Sequence, residues 1–215
     1  FPHHTNEIAQ SEAKTGKTFA NYWMHNGFVN IDNVKMSKSL GNFITVHDAL
    51  KTIDGQVLRF FFATQHYRKP INFTEKAVRD AETNLKYLKN TYEQPFTGEV
   101  DPADLQGFVD KFIVAMDEDI NAANGITVVF ELAKWINSGH YNQDVKDALT
   151  KMLEVFGVVF VEEVLDADIE ALIAERQEAR AKKDFARADA IRDELAAQGI
   201  KLLDTKEGVR WTRDW

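Results

Sequence analysis

Between Thr74 and Val164 the apolar residues recur at helical rather than strand spacing, and this pattern governs what the chain can build. From Thr74-Glu75 through Tyr92, the residues Ala77, Ala81, Leu85 and Leu88 fall three and four apart, which puts them on one face of a helix. A loop follows at residues 93–103, where Pro95, Gly98 and Pro102 interrupt the pattern. Beyond it, Leu105 to Asn121, Gly125 to Ser138 and Asp144 to Val164 each read as helical. Four helices joined by short connections predict an antiparallel bundle rather than a sheet.

The flanks have a different character. Thr5 to Ala13 suits a short helix, and Phe19 to Met24 reads as a second apolar segment. Phe28-Val29-Asn30-Ile31 alternates as a short strand, and Asp32-Asn33 is a turn signal. Thr45 opens a short helix as an N-cap, Gln56 to Gln65 reads as a buried helix, and Pro70 breaks the chain before the next helix. In the tail, Ile169, Leu172, Ile173 and Arg176 head a charged helix to about Ala181. Asp184 caps a second helix that Gly199 stops. Ile200 to Thr205 and Val209 to Thr212 then flank Lys206-Glu207-Gly208 as in a hairpin, so the last 50 residues are expected to form a small separate module.

A chain of 215 residues with 44% hydrophobic content has the material for one large or two modest cores. Its formal charge of -8 excludes a generally sticky nucleic-acid binder but leaves room for a local basic face. Without cysteine, neither a disulfide nor a thiolate metal site can come from this chain alone. There is no long apolar span and no secretory leader, so no membrane association is expected and a cytoplasmic protein is. The chain opens on Phe1-Pro2 without an initiator methionine, and is expected to be a fragment of a longer protein.

The segment that points most directly to a reaction is Lys35-Met36-Ser37-Lys38-Ser39, continuing into Leu40-Gly41-Asn42-Phe43. Two lysines three apart, with two hydroxyls and a glycine, make a compact loop suited to a polyphosphate. Lys35 and Lys38 can neutralise charge on a leaving pyrophosphate while Ser37, Ser39 and nearby amides hold phosphate oxygens. A bare Lys-x-x-Lys is usually only an exposed basic turn. The full pentapeptide with its Gly-Asn tail resembles the second signature of class I aminoacyl-tRNA synthetases, whose mobile lysine loop stabilises the transition state of amino-acid adenylation.

A narrower resemblance begins at the amino terminus. The run Phe1-Pro2-His3-His4-Thr5-Asn6-Glu7-Ile8-Ala9-Gln10-Ser11-Glu12 is similar to the segment of cysteinyl-tRNA synthetases just upstream of their lysine loop. On spacing alone, His3 and Glu7 share a helix face, and two such side chains do not make a metal site. The resemblance implies that they complete a zinc site with two cysteines from earlier in the protein. A soft substrate thiolate binds zinc where a serine hydroxyl does so poorly, which gives the metal a role in discrimination. Thr5 departs from the family, in which an acidic residue is frequent there. Both cysteines and the His-Ile-Gly-His ATP signature are absent from this chain, so it is expected neither to hold zinc tightly nor to activate cysteine alone.

The resemblance continues in order along the chain. It includes Asn21-Tyr22-Trp23-Met24-His25-Asn26-Gly27-Phe28-Val29, then Leu58-Arg59-Phe60-Phe61 with His66-Tyr67-Arg68-Lys69-Pro70-Ile71-Asn72-Phe73, and Met116-Asp117-Glu118-Asp119-Ile120-Asn121. It ends in tail blocks such as Lys183-Asp184-Phe185-Ala186 and Ile191-Arg192-Asp193-Glu194-Leu195, with Asp204-Thr205, Gly208 and Trp211. Several residues have two readings. His25 is either packed or a nucleotide contact; His66, Tyr67 and Arg68 either meet the tRNA backbone or form a satisfied hinge. Asp117 and Asp119 fit helix caps or arginine partners better than phosphate contacts. Lys182, Lys183, Arg187 and Arg192 fit a solvated face. Trp211 and Trp215 are candidates for stacking on anticodon bases, and Trp211 equally for anchoring the hairpin.

The resemblance thus implies a mainly α chain. Residues 1–52 would be the end of a class I Rossmann-type catalytic domain with the lysine loop, and 53–74 a connector of the stem-contact type. Residues 75–165 would be an antiparallel helical bundle of the tRNA-binding type, and 166–215 a small α+β anticodon-recognition module. The implied parent is a cysteine–tRNA ligase that uses ATP with magnesium, carries zinc, and acts as a monomer on cysteine and tRNA(Cys). Two other readings are a non-catalytic tRNA-binding fragment and a paralogue that couples cysteine to a small amine; the anticodon-type tail argues against the latter.

Overall fold

The computed structural model describes residues 2–160, 167–205 and 208–213. Phe1, residues 161–164 of the fourth predicted helix, the module boundary at 166, the Lys206-Glu207 turn and Trp215 lie outside that range. The chain divides into two compact units, Phe1–Val159 and Phe160–Trp215.

The first unit opens with α1 (His3–Thr15), which buries no side chain and ends on Gly16. The following Phe19 to Met24 does not form a regular apolar element. Phe19, Trp23 and Met24 are all exposed; Phe19 to Trp23 and Trp23 to His4 are loose ring contacts, each 5.8 Å between centroids, and the Phe19 amide donates to Glu12 Oε1 at 3.1 Å. Strands β1 (Val29–Ile31) and β2 (Val34–Lys35) pair antiparallel through a two-residue turn. Asp32 and Asn33 there have φ of 49° and 66°, as a type I′ turn requires. Strand β3 (Ile71–Phe73) pairs parallel with β1, giving the order β2-β1-β3. No strand was expected at 71–73, because three residues after a proline carry no periodicity.

Side-chain caps set the helix starts. Thr45 Oγ1 accepts from the Asp48 amide at the head of α2 (Val46–Ala49), and Asp54 Oδ1 accepts from Gln56 and Val57 at the head of α3 (Gly55–Ala63). Thr74, Asp101, Asn121 and Asn142 cap α4 (Glu75–Tyr92), α5 (Pro102–Asp117), α6 (Ala122–Asn137) and α7 (Gln143–Val155) in the same way. Helix α6 packs against α3, α4, α5 and α7. Its Val129, Leu132, Ala133 and Ile136 are fully buried with Leu85 and Leu88 of α4 and Leu149 and Leu153 of α7. Each buried leucine of this kind contributes about 1.5–3 kcal/mol. Tyr141 fills the same core and donates its hydroxyl to the Tyr92 carbonyl at 2.6 Å.

Several helix boundaries differ from expectation: α5 and α6 begin at Pro102 and Ala122, three residues before the predicted Leu105 and Gly125, and two helices end early. The helix predicted from Leu105 to Asn121 stops at Asp117, because Asp119 and Ile120 turn left-handed with φ of 56° and 52°. The helix predicted from Asp144 to Val164 stops at Val155. Gly157 is left-handed there (φ 68°), donates to Glu154 at 2.8 Å, and sends Val158 back to the Leu153 carbonyl at 3.1 Å, a Schellman ending.

The second unit has α8 (Ala167–Ala181), α9 (Phe185–Ala197) and a hairpin of β4 (Ile200–Thr205) and β5 (Gly208–Arg213). Ile169, Ile191, Leu195 and Ile200 form its core. Trp211 is half-buried against that cluster, which is its anchoring role. Asp184 caps α9 through the Arg187 amide at 3.1 Å, while Arg187 pairs with Glu175 and Lys182 with Glu178, as on a solvated face.

Candidate functional site

The lysine loop grows out of the β1–β2 hairpin. Lys35 ends β2, and the Met36 amide still bonds to the Val29 carbonyl at 3.0 Å, so the chain enters the loop from a fixed edge. Ser37 is extended and caps a single 3-10 turn, Lys38–Leu40, accepting from the Leu40 amide on its hydroxyl. The Ser37 and Ser39 hydroxyls lie 2.9 Å apart, and Gly41 closes the turn with its amide on the Lys38 carbonyl. Asn42 ties the two ends together: its Oδ1 accepts from the Ser37 amide at 2.9 Å and its Nδ2 donates to the Lys35 carbonyl at 3.3 Å.

Both cations are exposed on this frame. The Lys35 ammonium sits 3.8 Å from the centroid of the Phe28 ring and that of Lys38 5.5 Å from Phe43. A ring face holds an ammonium by only about 0.5–1 kcal/mol at an exposed position. Neither lysine is paired with a carboxylate among the described residues. Two ammonium groups without carboxylate partners among the described residues, the hydroxyls of Ser37 and Ser39 and a clasped backbone have the chemistry to receive an anion. Phe28, Phe43 and the clasp of Asn42 carried no assigned role in the sequence. Phe28 lies seven residues before Lys35 and Phe43 five after Lys38, a separation that carries no signal of the ring contacts.

A second polar cluster joins the segment after α3 to the corner between α5 and α6. Arg68 reaches Asp119 with Nε to Oδ2 at 2.6 Å and Nη2 to Oδ1 at 3.1 Å, and the Tyr67 hydroxyl donates to Oδ1 at 2.7 Å. His66 Nε2 is 3.7 Å away, with its ring stacked on that of Tyr67. The Arg68 hydrogen bonds, then that of Tyr67, hold the Asp119 carboxyl down at about 2, and the same bonds to Asp119 raise Tyr67 and Arg68. His66, Tyr67 and Arg68 thus have protein partners, and Asp119 is the arginine partner that its chemistry favoured.

At the amino terminus His3 and Glu7 stand one helical turn apart on exposed α1. His25 is also exposed, its ring stacked on that of His4 at 4.9 Å. No group of three or more His, Asp or Glu placed to hold a metal occurs among the described residues. Two donors do not fit the four that zinc takes, so these residues alone do not make its site. No helix among the described residues is long and apolar enough to cross a membrane.

Comparison with known proteins covers all of this frame. Residues 1–83 match the family described as tRNA synthetases class I (C) catalytic domain, 111–162 the DALR domain, and 162–211 the cysteinyl-tRNA ligase anticodon binding domain. Over 214 residues the chain is 85% identical to Cysteine–tRNA ligase of Streptococcus pneumoniae serotype 4, 81% to that of Streptococcus mutans serotype c and 77% to that of Streptococcus thermophilus. Each comparison takes in the whole of this chain and 48% of the relative, so the chain spans about half the length of the curated relatives it matches. A ternary complex of Agrobacterium radiobacter K84 agnB2 LeuRS with tRNA and LeuAMS is a distant structural neighbour, with TM-score 0.47 and 18% identity over 61% of this chain and 20% of that one. The lysine loop, the bundle and the tail fall in successive matches, and the identity runs through all three: the chain belongs to the cysteinyl-tRNA synthetase family.

Proposed function

We propose that this chain is the part of a cysteine–tRNA ligase that bears the lysine loop, the bundle and the anticodon module, and that the complete protein, a cytoplasmic monomer, charges tRNA(Cys) with cysteine. The observation that carries the reading is the lysine loop itself, in which Lys35 and Lys38 are exposed and free of carboxylate partners among the described residues. In the first step the cysteine carboxylate attacks the α-phosphorus of ATP, the bond to the β-phosphate oxygen breaks, and pyrophosphate leaves with the new charge. Lys38 meets that charge, Lys35 supports it, and Ser37 and Ser39 shape the turn that presents them. Magnesium accompanies the ATP polyphosphate, and His25 is the remaining nucleotide contact in this reading. In the second step a terminal ribose hydroxyl of the tRNA attacks the cysteinyl carbonyl and releases AMP.

The same reading divides the chain at 1–52, 53–74, 75–165 and 166–215, with the last two segments on the tRNA side. His3 and Glu7 would be two donors of a zinc site whose thiolates come from outside this chain, and no step here is routed through it. Joined to the remaining half of the Streptococcus pneumoniae relative, the chain is expected to catalyse cysteine-dependent exchange of pyrophosphate into ATP. The 215 residues alone are expected not to. A joined protein that folds and shows no cysteine-dependent exchange removes the ligase reading and leaves a tRNA-binding fragment.

A further inference from the structure

A second polar cluster in the first unit gathers on one strained corner. Asp119 and Ile120 are consecutive left-handed residues, and for a β-branched side chain that conformation is an outlier. Strain of this kind persists only where surrounding contacts over-determine it. Here the contacts are those of a single carboxylate, which takes Arg68 in a two-pronged bond and the Tyr67 hydroxyl, with His66 close by.

The residues that Asp119 holds are the ones on which the lysine-loop hairpin is built. The Tyr67 carbonyl accepts the Gly27 amide at 2.7 Å, and the Phe28 carbonyl accepts the Ile71 amide at 2.9 Å, which sets β1 beside β3. At the far end, the Asn33 amide donates to Asn72 Oδ1 at 2.8 Å while Asn72 Nδ2 donates to Asn33 Oδ1 at 2.9 Å. Both the entry of the hairpin and its turn are thereby pinned to residues 67–72, and Lys35 lies at its end.

We propose that Asp119 is a positioning residue for adenylation: by fixing Tyr67 and Arg68 it sets the strand that carries the lysine-loop hairpin, so the α5–α6 corner of the bundle governs where Lys35 and Lys38 stand. The inference rests on the lysine-loop chemistry proposed above. Its physical content is a contiguous set of contacts between two sites, which a coupling measurement can test.

The experiment uses the chain joined to the remaining half of the Streptococcus pneumoniae relative, with exchange rates normalised to the burst of adenylate so that only active molecules count. Asp119→Asn and Arg68→Gln are each expected to lower kcat for exchange by between about 2-fold and 30-fold. The double variant should be no slower than the slower single one, because the two changes remove one interaction. Arg68→Lys should retain more activity than Arg68→Gln. Asp119→Gly relieves the left-handed backbone yet still lacks the carboxylate, so it should fall with Asp119→Asn and not with the wild type. Lys38→Ala is run beside them. If Lys38→Ala is slow while Asp119→Asn and Asp119→Gly stay within twofold of wild type, the positioning role is wrong and the lysine loop stands. Multiplying effects of the two single variants also overturn the role. An unaffected Lys38→Ala overturns the lysine-loop reading and this inference with it.

Discussion

Replacing Gly27 by Ala puts a methyl group into occupied space. A Cβ there would lie 2.3 Å from the Lys69 carbonyl oxygen, 2.4 Å from its carbon and 2.7 Å from the Pro70 nitrogen, about 1 Å inside ordinary contact. All three are backbone atoms, so no rotamer relieves the clash and the Lys69–Pro70 segment must back away. That movement pulls apart the Gly27 to Tyr67 and Ile71 to Phe28 hydrogen bonds, now 2.7 and 2.9 Å. Two bonds at about 1 kcal/mol each, with about 1–3 kcal/mol for overpacking, give a loss of about 3–5 kcal/mol. In urea unfolding followed by circular dichroism, the midpoint should drop by about 2 M. Gly107 is the control: it lies exposed within α5 with nothing near its missing Cβ, so Gly107→Ala should stabilise by about 0.5–1 kcal/mol. A Gly27→Ala midpoint at or above wild type, with Gly107→Ala behaving as stated, would refute the close-approach argument.

Three further outcomes are expected. Leu132→Ala empties a fully buried position at the centre of α6 and should cost about 2–5 kcal/mol in the same unfolding experiment. Asp119 is held at about 2, below the ordinary value of 3.8, first by Arg68 and then by Tyr67. Its folded value is the depressed one, so its contribution is present above about pH 4 and disappears as the pH falls through about 2. The stability difference between wild type and Asp119→Asn should therefore narrow over that window in acid titration, and added salt should reduce it because the carboxylate is half exposed. Asn42→Ala removes both ends of the loop clasp and should speed tryptic cleavage after Lys35 and Lys38, with little change at sites in α4.

The sequence carried the parts of the fold that local chemistry decides. Thr45, Thr74 and Asp184 cap helices because their side-chain oxygens compete well for free amides, and the Asp32-Asn33 turn comes from the tolerance of those residues for positive φ. The tail hairpin formed where β-spacing flanked a turn. The features that stayed hidden depend on partners far along the chain. Strand β3 exists because β1 offers it an edge, and Asn72 meets Asn33 across 39 residues. The break after Asp117 was unreadable because Met116 to Asn121 contains neither Gly nor Pro; the Arg68 and Tyr67 contacts hold that corner in a conformation its residues do not prefer. At the loop, the pentapeptide announced the cations, but not the rings beneath them or the amide that clasps their backbone.

In the proposed reaction the exposed ammonium of Lys38 meets charge that appears only as pyrophosphate leaves. The most direct measurement is single-turnover formation of cysteinyl adenylate by the joined protein, wild type against Lys38→Ala, at saturating ATP and cysteine. The rate should fall by about 100-fold or more, with the ATP dissociation constant changed far less, because the interaction is made in the transition state. An unchanged rate, or a loss confined to ATP binding, would contradict it.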